Sequence, residues 1–79
     1  MMDEKRIRET LNYAVERYLL GDVDGDFRFN HIWLTAQLSF AYTIDAITSE
    51  ECDALCGVVS HAYITNRRGP ECADFQRLS

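Results

Sequence analysis

Two cysteines and a histidine in the C-terminal half of the chain are the first residues to test for chemistry. Cys52 and Cys56 are four residues apart, so both thiols lie on one face of a helix. Two thiolates with a nearby imidazole are a common beginning of a zinc site. His61, however, lies on the opposite face of that helix, and His31 belongs to another segment. We therefore predict buried free cysteines and no metal site.

Aspartates alternate with other residues in the segment 21–26, as oxygen ligands do in a calcium-binding EF-hand loop. If Gly25 takes the glycine position of that loop, Leu20 occupies its first position and His31 its last. Neither residue carries the carboxylate that those positions require. The segment is therefore interpreted as an acidic turn without a metal ion.

A catalytic reading would begin with Ser60 and His61, which are adjacent in the sequence. On a helix, adjacent side chains diverge by about 100°, whereas a nucleophile and its base must be in contact. The chain also has no glycine-rich phosphate loop and no cofactor fingerprint. We expect no enzymatic activity and no cofactor.

The segments that carry these residues have the periodicity of three helices, predicted over about 3–20, 28–45 and 48–68, with a tail over 69–79. Asp3 suits an N-cap and Gly21 a C-terminal stop, whereas either Asp26 or Asn30 could cap the second helix. The segment Thr48-Ser49-Glu50-Glu51 fits a capping box.

Short connections between these helices predict one all-α domain over 1–79, a three-helix bundle with up-down-up topology. The tail is expected to be loose or to form one short turn, with Phe75 and Leu78 as its anchors.

The central segment, 29–44, contains no Asp, Glu, Lys or Arg. As a helix it has two apolar arcs, one with Trp33 and Phe40 and the other with Leu34 and Leu38. A helix that is apolar on two sides is expected to be buried between neighbours. The segment is too short and too often interrupted by polar residues to be a membrane span.

Composition and net charge restrict the kinds of molecule that this protein is expected to bind. The chain has 79 residues and a formal net charge of −5. This charge argues against direct binding of nucleic acid, which requires clustered Lys and Arg. The N-terminus lacks the apolar region of a secretory signal and the cysteine count is odd, so we expect a reducing, cytoplasmic location.

Acidic residues are concentrated between residues 22 and 53, and up-down-up topology divides them between the two ends of the bundle. The basic segment 5–8 is expected near one group, and Arg67 and Arg68 near the other. Two interpretations follow: charge complementation within the chain, or an acidic surface for a basic partner. The acidic residues are Asp22, Asp24, Asp26, Asp45, Glu50, Glu51 and Asp53.

Aromatic residues cluster on or just before the central helix, with Phe27, Phe29 and Trp33 as the candidates for a protein contact. Ordinary core packing is the alternative. In size and composition the chain resembles small phage- or mobile-element-encoded inhibitors of host defence, such as anti-CRISPR proteins. That resemblance implies a protein-binding module that blocks a nucleic-acid-handling complex. The alternative is a structural homodimer that buries Trp33 and Phe40 between two copies.

Overall fold

The computed structural model describes residues 3–79, which form three helices of equal length and one short turn. Helix α1 is Glu4–Leu20, α2 is Phe27–Thr43 and α3 is Ser49–Thr65, and a 3-10 turn follows at Pro70–Cys72. The described part of the chain contains no strand. The predicted all-α, three-helix bundle is confirmed.

Side-chain caps begin all three helices. The Asp3 carboxylate accepts a hydrogen bond from the backbone N–H of Lys5 at 3.1 Å, as predicted for α1. Asp26 caps α2, accepting from the N–H of Arg28 at 3.1 Å. The choice between Asp26 and Asn30 is thereby settled, and Asn30 is instead a buried polar residue within α2.

Helices α2 and α3 end earlier than the sequence suggested. Helix α2 stops at Thr43, and Asp45 then takes a left-handed conformation with φ of 62°. Helix α3 stops at Thr65, because Asn66 is left-handed with φ of 53° and provides the C-cap. Arg67 and Arg68, the last two residues of the predicted helix, therefore lie beyond its observed end.

The core lies on the bundle axis, where each helix contributes one residue with no exposed surface. These residues are Val15, Leu38 and Val59. Tyr18 is also buried, and its hydroxyl donates a hydrogen bond to the carbonyl of Val59 at 3.0 Å. Burial raises the pKa of Tyr18 to about 12.

The C-terminal tail packs on the bundle and contains one short 3-10 turn. Of the two expectations for it, the short turn is confirmed and the loose tail is wrong. Phe75 and Leu78 are both buried, so the two predicted anchors are confirmed. The Asn12 side-chain amide donates to the carbonyl of Leu78, and its oxygen accepts from the N–H of Leu78, both at 2.8 Å. These two hydrogen bonds hold the tail against α1, a position that no local sequence signal specifies.

Arg8 connects four parts of the chain through one guanidinium group. Its Nη1 donates to Glu51 Oε1 and to the carbonyl of Ala46, both at 2.9 Å, and its Nη2 donates to Glu51 Oε2. Its Nε donates to the carbonyl of Ser79 at 2.9 Å. The contact therefore joins α1, the α2–α3 connection, the start of α3 and the tail.

Glu51 is constrained from two directions. Its carboxylate pairs with Arg8 and also accepts from the backbone N–H of Thr48 at 2.8 Å, while the Thr48 hydroxyl accepts from the N–H of Glu51. The predicted capping box is thus confirmed. The hydrogen bond from Arg8, followed by that from Thr48, lowers the pKa of Glu51 to about 2. The same pairing with Glu51 raises the pKa of Arg8.

The substitution Glu51→Gln is expected to lower the free energy of unfolding by about 1–3 kcal/mol at neutral pH, because the Arg8 guanidinium loses its charged partner. The folded-state pKa is depressed, so this contribution is present above the ordinary value of 4.5 and is lost as the pH falls towards about 2. Urea unfolding across that pH range measures the difference between wild type and variant.

Glu50→Gln is the matched control, because Glu50 lies in the same first turn of α3 but is exposed. Only its interaction with the helix dipole is lost, about 0.3–1 kcal/mol. A Glu51→Gln variant no less stable than this control would contradict the role assigned to Arg8.

Candidate functional site

One face of α2 leaves large apolar side chains in solvent. Phe29 is 63% exposed, Ile32 55%, Trp33 51% and Phe40 59%, and Ile44 just beyond the helix is 39% exposed. The small side chain of Ala36 lies between them and is also exposed. We call these five residues together with Ala36 the α2 stripe.

The α2 stripe corrects the expectation that α2 is covered on both sides. Helices α1 and α3 both pack on the arc that contains Leu34, Leu38 and Ala41, which are at most 3% exposed. The opposite arc, with Trp33 and Phe40, therefore has no helix over it within residues 3–79. Ile47, which would lie on that same arc if the helical period continued beyond residue 45, is in the connection to α3 and is buried instead.

The stripe is continuous and uncharged. Its members recur every three or four residues, so they align along one side of the helix. No charged residue occurs between Phe29 and Ile44. Scattered single apolar residues are ordinary on protein surfaces, whereas a contiguous row of this size is typical of an interface.

A groove runs beside the stripe, between α1 and α2. It has a volume of about 700 Å³. Ile7 and Leu11 of α1 form one wall, and Trp33, Phe40 and Ile44 line the other. Arg6 lies at the rim, at the end of the groove where α1 begins and α2 ends. The groove has the shape and chemistry to receive apolar side chains from another polypeptide.

The acidic candidates occupy the two ends of the bundle and not the stripe. Six of the seven side chains are exposed, and Glu51, paired with Arg8, is the exception. Of the six, only Asp22 forms an ion pair within residues 3–79, with Arg17 at 3.4 Å. The exposed acids are Asp22, Asp24 and Asp26 at one end, and Asp45, Glu50 and Asp53 at the other.

The expected pairing of Arg68 with the first acidic group is replaced by an aromatic contact. The Arg68 guanidinium carbon lies 3.9 Å from the centre of the Phe27 ring. Phe27 is half-buried, with ring centres 5.2 Å from Tyr18 and 5.5 Å from Tyr63. Of the aromatic candidates, Phe29 and Trp33 therefore lie on the stripe, whereas Phe27 packs within the bundle.

The structure brings His31 and Ser60 together, a pairing that the sequence did not indicate. His31 Nε2 lies 3.3 Å from Ser60 Oγ, and the imidazole stacks on Tyr63 with ring centres 4.6 Å apart. Within the described residues no carboxylate bonds to the other ring nitrogen, so the pair lacks the group that orients a catalytic base. We interpret it as a helix–helix packing contact between α2 and α3.

Cys52 and Cys56 lie on one helix face, as the spacing predicted, with sulfur atoms 4.0 Å apart. All three cysteines are free; Cys52 is buried as predicted, whereas Cys56 and Cys72 are half-buried, so the predicted burial is wrong for Cys56. Burial, followed by the neighbouring Cys52 thiol, raises the pKa of Cys56 to about 11. Among residues 3–79, no cluster of three or more His, Cys, Asp or Glu side chains is arranged to hold a metal ion.

Sequence reasoning placed Phe29 and Trp33 in the candidate set and Phe40 in the alternative homodimer contact, but it assigned no contact to Ile7, Ile32 or Ile44. The signal for Ile32 and Ile44 was present in the spacing of the outer arc of α2. Ile7 is different, because the sequence places it on the core face of α1. Its position on the groove wall depends on how α1 and α2 are packed.

Comparisons of this chain with protein-family models, with curated proteins and with solved structures found no match. The fold and the geometry of the surface define the protein as a three-helix bundle with an apolar helix face that residues 3–79 leave uncovered. None of the helices formed by residues 3–79 combines the length and apolar character needed to cross a membrane.

The environment of Cys56 makes a chemical prediction. Because partial burial raises its pKa from the ordinary 9.0 to about 11, a much smaller fraction of Cys56 should be thiolate at about pH 8 in the folded than in the unfolded chain. Alkylation of Cys56 by iodoacetamide should therefore be at least about tenfold slower without urea than with it, as followed by peptide mass spectrometry. Equal rates in the two states would contradict the raised pKa of this thiol.

Proposed function

We propose that this protein is a non-enzymatic protein-binding module and that it makes its contact through the α2 stripe. The observation that carries the proposal is the exposure of Trp33 and Phe40 in one uncharged row. Aromatic residues are enriched at protein interfaces, and the largest losses of affinity on truncation come from buried Trp and Tyr.

The size of the stripe supports this proposal. An aromatic side chain can bury 150–250 Å², so three that are more than half exposed, together with two isoleucines, offer roughly 500 Å². A patch of this size is at the upper end of what a monomer exposes and is frequently functional. At about 25 cal/mol per Å², covering it gives on the order of 10 kcal/mol before the costs of association.

The stripe is also suited to binding because it adds little to the core. The residues that hold α2 in the bundle, Leu34, Leu38 and Ala41, lie on the opposite arc. The contact surface and the folding surface of α2 are thus separate sets of residues on one helix.

A second candidate function is favoured by the exposed acids at the two ends of the bundle. Asp24, Asp26, Asp45, Glu50 and Asp53 form no ion pair within the described residues. We propose as the alternative an inhibitor of the anti-CRISPR or anti-restriction type, which uses these carboxylates to occupy a basic, nucleic-acid-binding channel. The two candidates differ in salt dependence, because screening weakens carboxylate contacts far more than apolar ones.

The test is an affinity pull-down with tagged wild type, Phe40→Lys and Ile64→Lys from bacterial lysate to which untagged wild-type chain is added, each washed at low and at high salt. Ile64 is 79% exposed on α3, away from the stripe, so Ile64→Lys adds the same charge without touching the proposed contact. We expect wild type and Ile64→Lys to retain a partner through the high-salt wash and Phe40→Lys to lose it.

Circular dichroism of the three proteins verifies that the helices are intact. A partner that Phe40→Lys retains as well as wild type does would overturn the stripe as the contact. If that partner is also released at high salt, the acidic inhibitor becomes the better description.

A further inference from the structure

The α2 stripe is nearly symmetrical about its smallest member, Ala36. Trp33 precedes Ala36 by three residues and Phe40 follows it by four, while Phe29 precedes it by seven and Ile44 follows it by eight. A large apolar residue is thus found at about the same distance in either direction along the helix. Rotation by 180° about an axis through Ala36, perpendicular to the helix, returns nearly the same pattern.

That symmetry is what an isologous dimer requires, since the same patch must meet itself across a two-fold axis. We propose that the partner of the α2 stripe is α2 of a second copy of this chain, packed antiparallel with Ala36 close to the two-fold axis. This inference rests on the proposed function, that the stripe binds protein, and names the partner.

The antiparallel arrangement matches large side chains with large side chains. Trp33 of one copy lies opposite Phe40 of the other, and Phe29 lies opposite Ile44. Both matches occur twice in the dimer. The small side chain of Ala36 lets the helix axes approach within the usual 8–10 Å at the crossing. The apolar groove beside Ile7 and Ile44 then receives part of the copy's stripe.

Charge does not prevent contact through the stripe. Two chains of net charge −5 repel, but the stripe itself carries no charge, so no like charges are buried against each other. Asp3 and Arg6 both line the groove at the end where α2 stops. In the antiparallel arrangement this end faces the beginning of the copy's α2, which Asp24 and Asp26 immediately precede, so attraction to Arg6 is offset by repulsion from Asp3. The choice of this partner therefore depends on the symmetry and area of the stripe, and charge at its ends does not add to it.

The area is sufficient for a reversible dimer. Each copy contributes roughly 500 Å² of apolar surface, so about 1,000 Å² is buried in total. This area is the lower limit for a specific interface and falls below that of obligate dimers. We therefore expect a dissociation constant in the micromolar range, on the order of 1–100 µM.

The first experiment is sedimentation equilibrium of the full chain from about 5 to about 500 µM, with Phe40→Lys and Ile64→Lys alongside. Wild type and Ile64→Lys should form a dimer, and Phe40→Lys should weaken it at least about tenfold. Each substitution makes the net charge one unit less negative, so general repulsion cannot explain the loss. Raising the salt concentration should not weaken the dimer, because the stripe is uncharged and salt screens the repulsion between two chains of net charge −5.

The second experiment tests the antiparallel geometry by oxidation of Ala36→Cys and of Ile44→Cys, with the native chain as the baseline for its own thiols. Ala36→Cys should cross-link above baseline, because residue 36 meets its copy near the axis. Residue 44 lies about 12 Å along the helix from residue 36, so its two copies are roughly 24 Å apart, beyond the reach of a disulfide. Cross-linking through both positions indicates a parallel dimer and overturns the arrangement.

The outcomes separate this inference from the function on which it rests. A wild type that stays monomeric to about 500 µM overturns the homodimer, whatever the pull-down gives. If that monomer still captures a protein that Phe40→Lys does not, the stripe is a contact for a different partner and only the inference fails. If wild type is monomeric and also captures no protein, both the homodimer and the proposed binding function are contradicted.

Discussion

A three-helix bundle covers only one side of each helix, because both neighbours of a helix must lie on the side that faces the common axis. For α1 and α3 this suffices, because their large apolar residues are mostly on one side. Helix α2 has two apolar arcs, and the bundle can cover only the arc with Leu34 and Leu38. The exposed stripe is therefore a direct consequence of placing a two-sided apolar helix in a fold with room for one buried side.

The C-terminal tail covers the side of α1 on which it packs. Beside α1, Phe75 and Leu78 are buried, and Asn12 hydrogen bonds to both backbone groups of Leu78. Arg8 adds a bond to the last residue while it pairs with Glu51. The seam between α1 and α2 has no such cover among residues 3–79 and remains a groove. This contrast between a closed and an open seam is what favours the open one as the proposed binding surface.

Local signals in the sequence predicted most of the fold, because caps and periodicity act over a few residues. Asp3, Gly21 and the Thr48–Glu51 capping box are all found where those signals placed them. The misses depend on contacts between distant residues. Periodicity gave two apolar arcs for α2 but could not tell which one the neighbours cover. The stacking of Arg68 on Phe27 and the contact of His31 with Ser60 likewise exist only after the helices pack. Phe29 and Trp33 of the candidate site were predicted from their residue type, whereas the groove was not.

The apolar stripe and the acidic ends occupy different parts of the molecule, so the two proposed contacts do not compete. The stripe runs along one side of the bundle, whereas the exposed aspartates lie before α2 and after it. In an antiparallel dimer, the acids that precede α2 in one copy lie near those that follow α2 in the other. Each end of the dimer then carries both groups, Asp24 and Asp26 from one chain with Asp45 and Glu50 from its twin. Self-association through the stripe would therefore concentrate negative charge at two equivalent surfaces, and a basic partner would meet more charge on the dimer than on either chain alone.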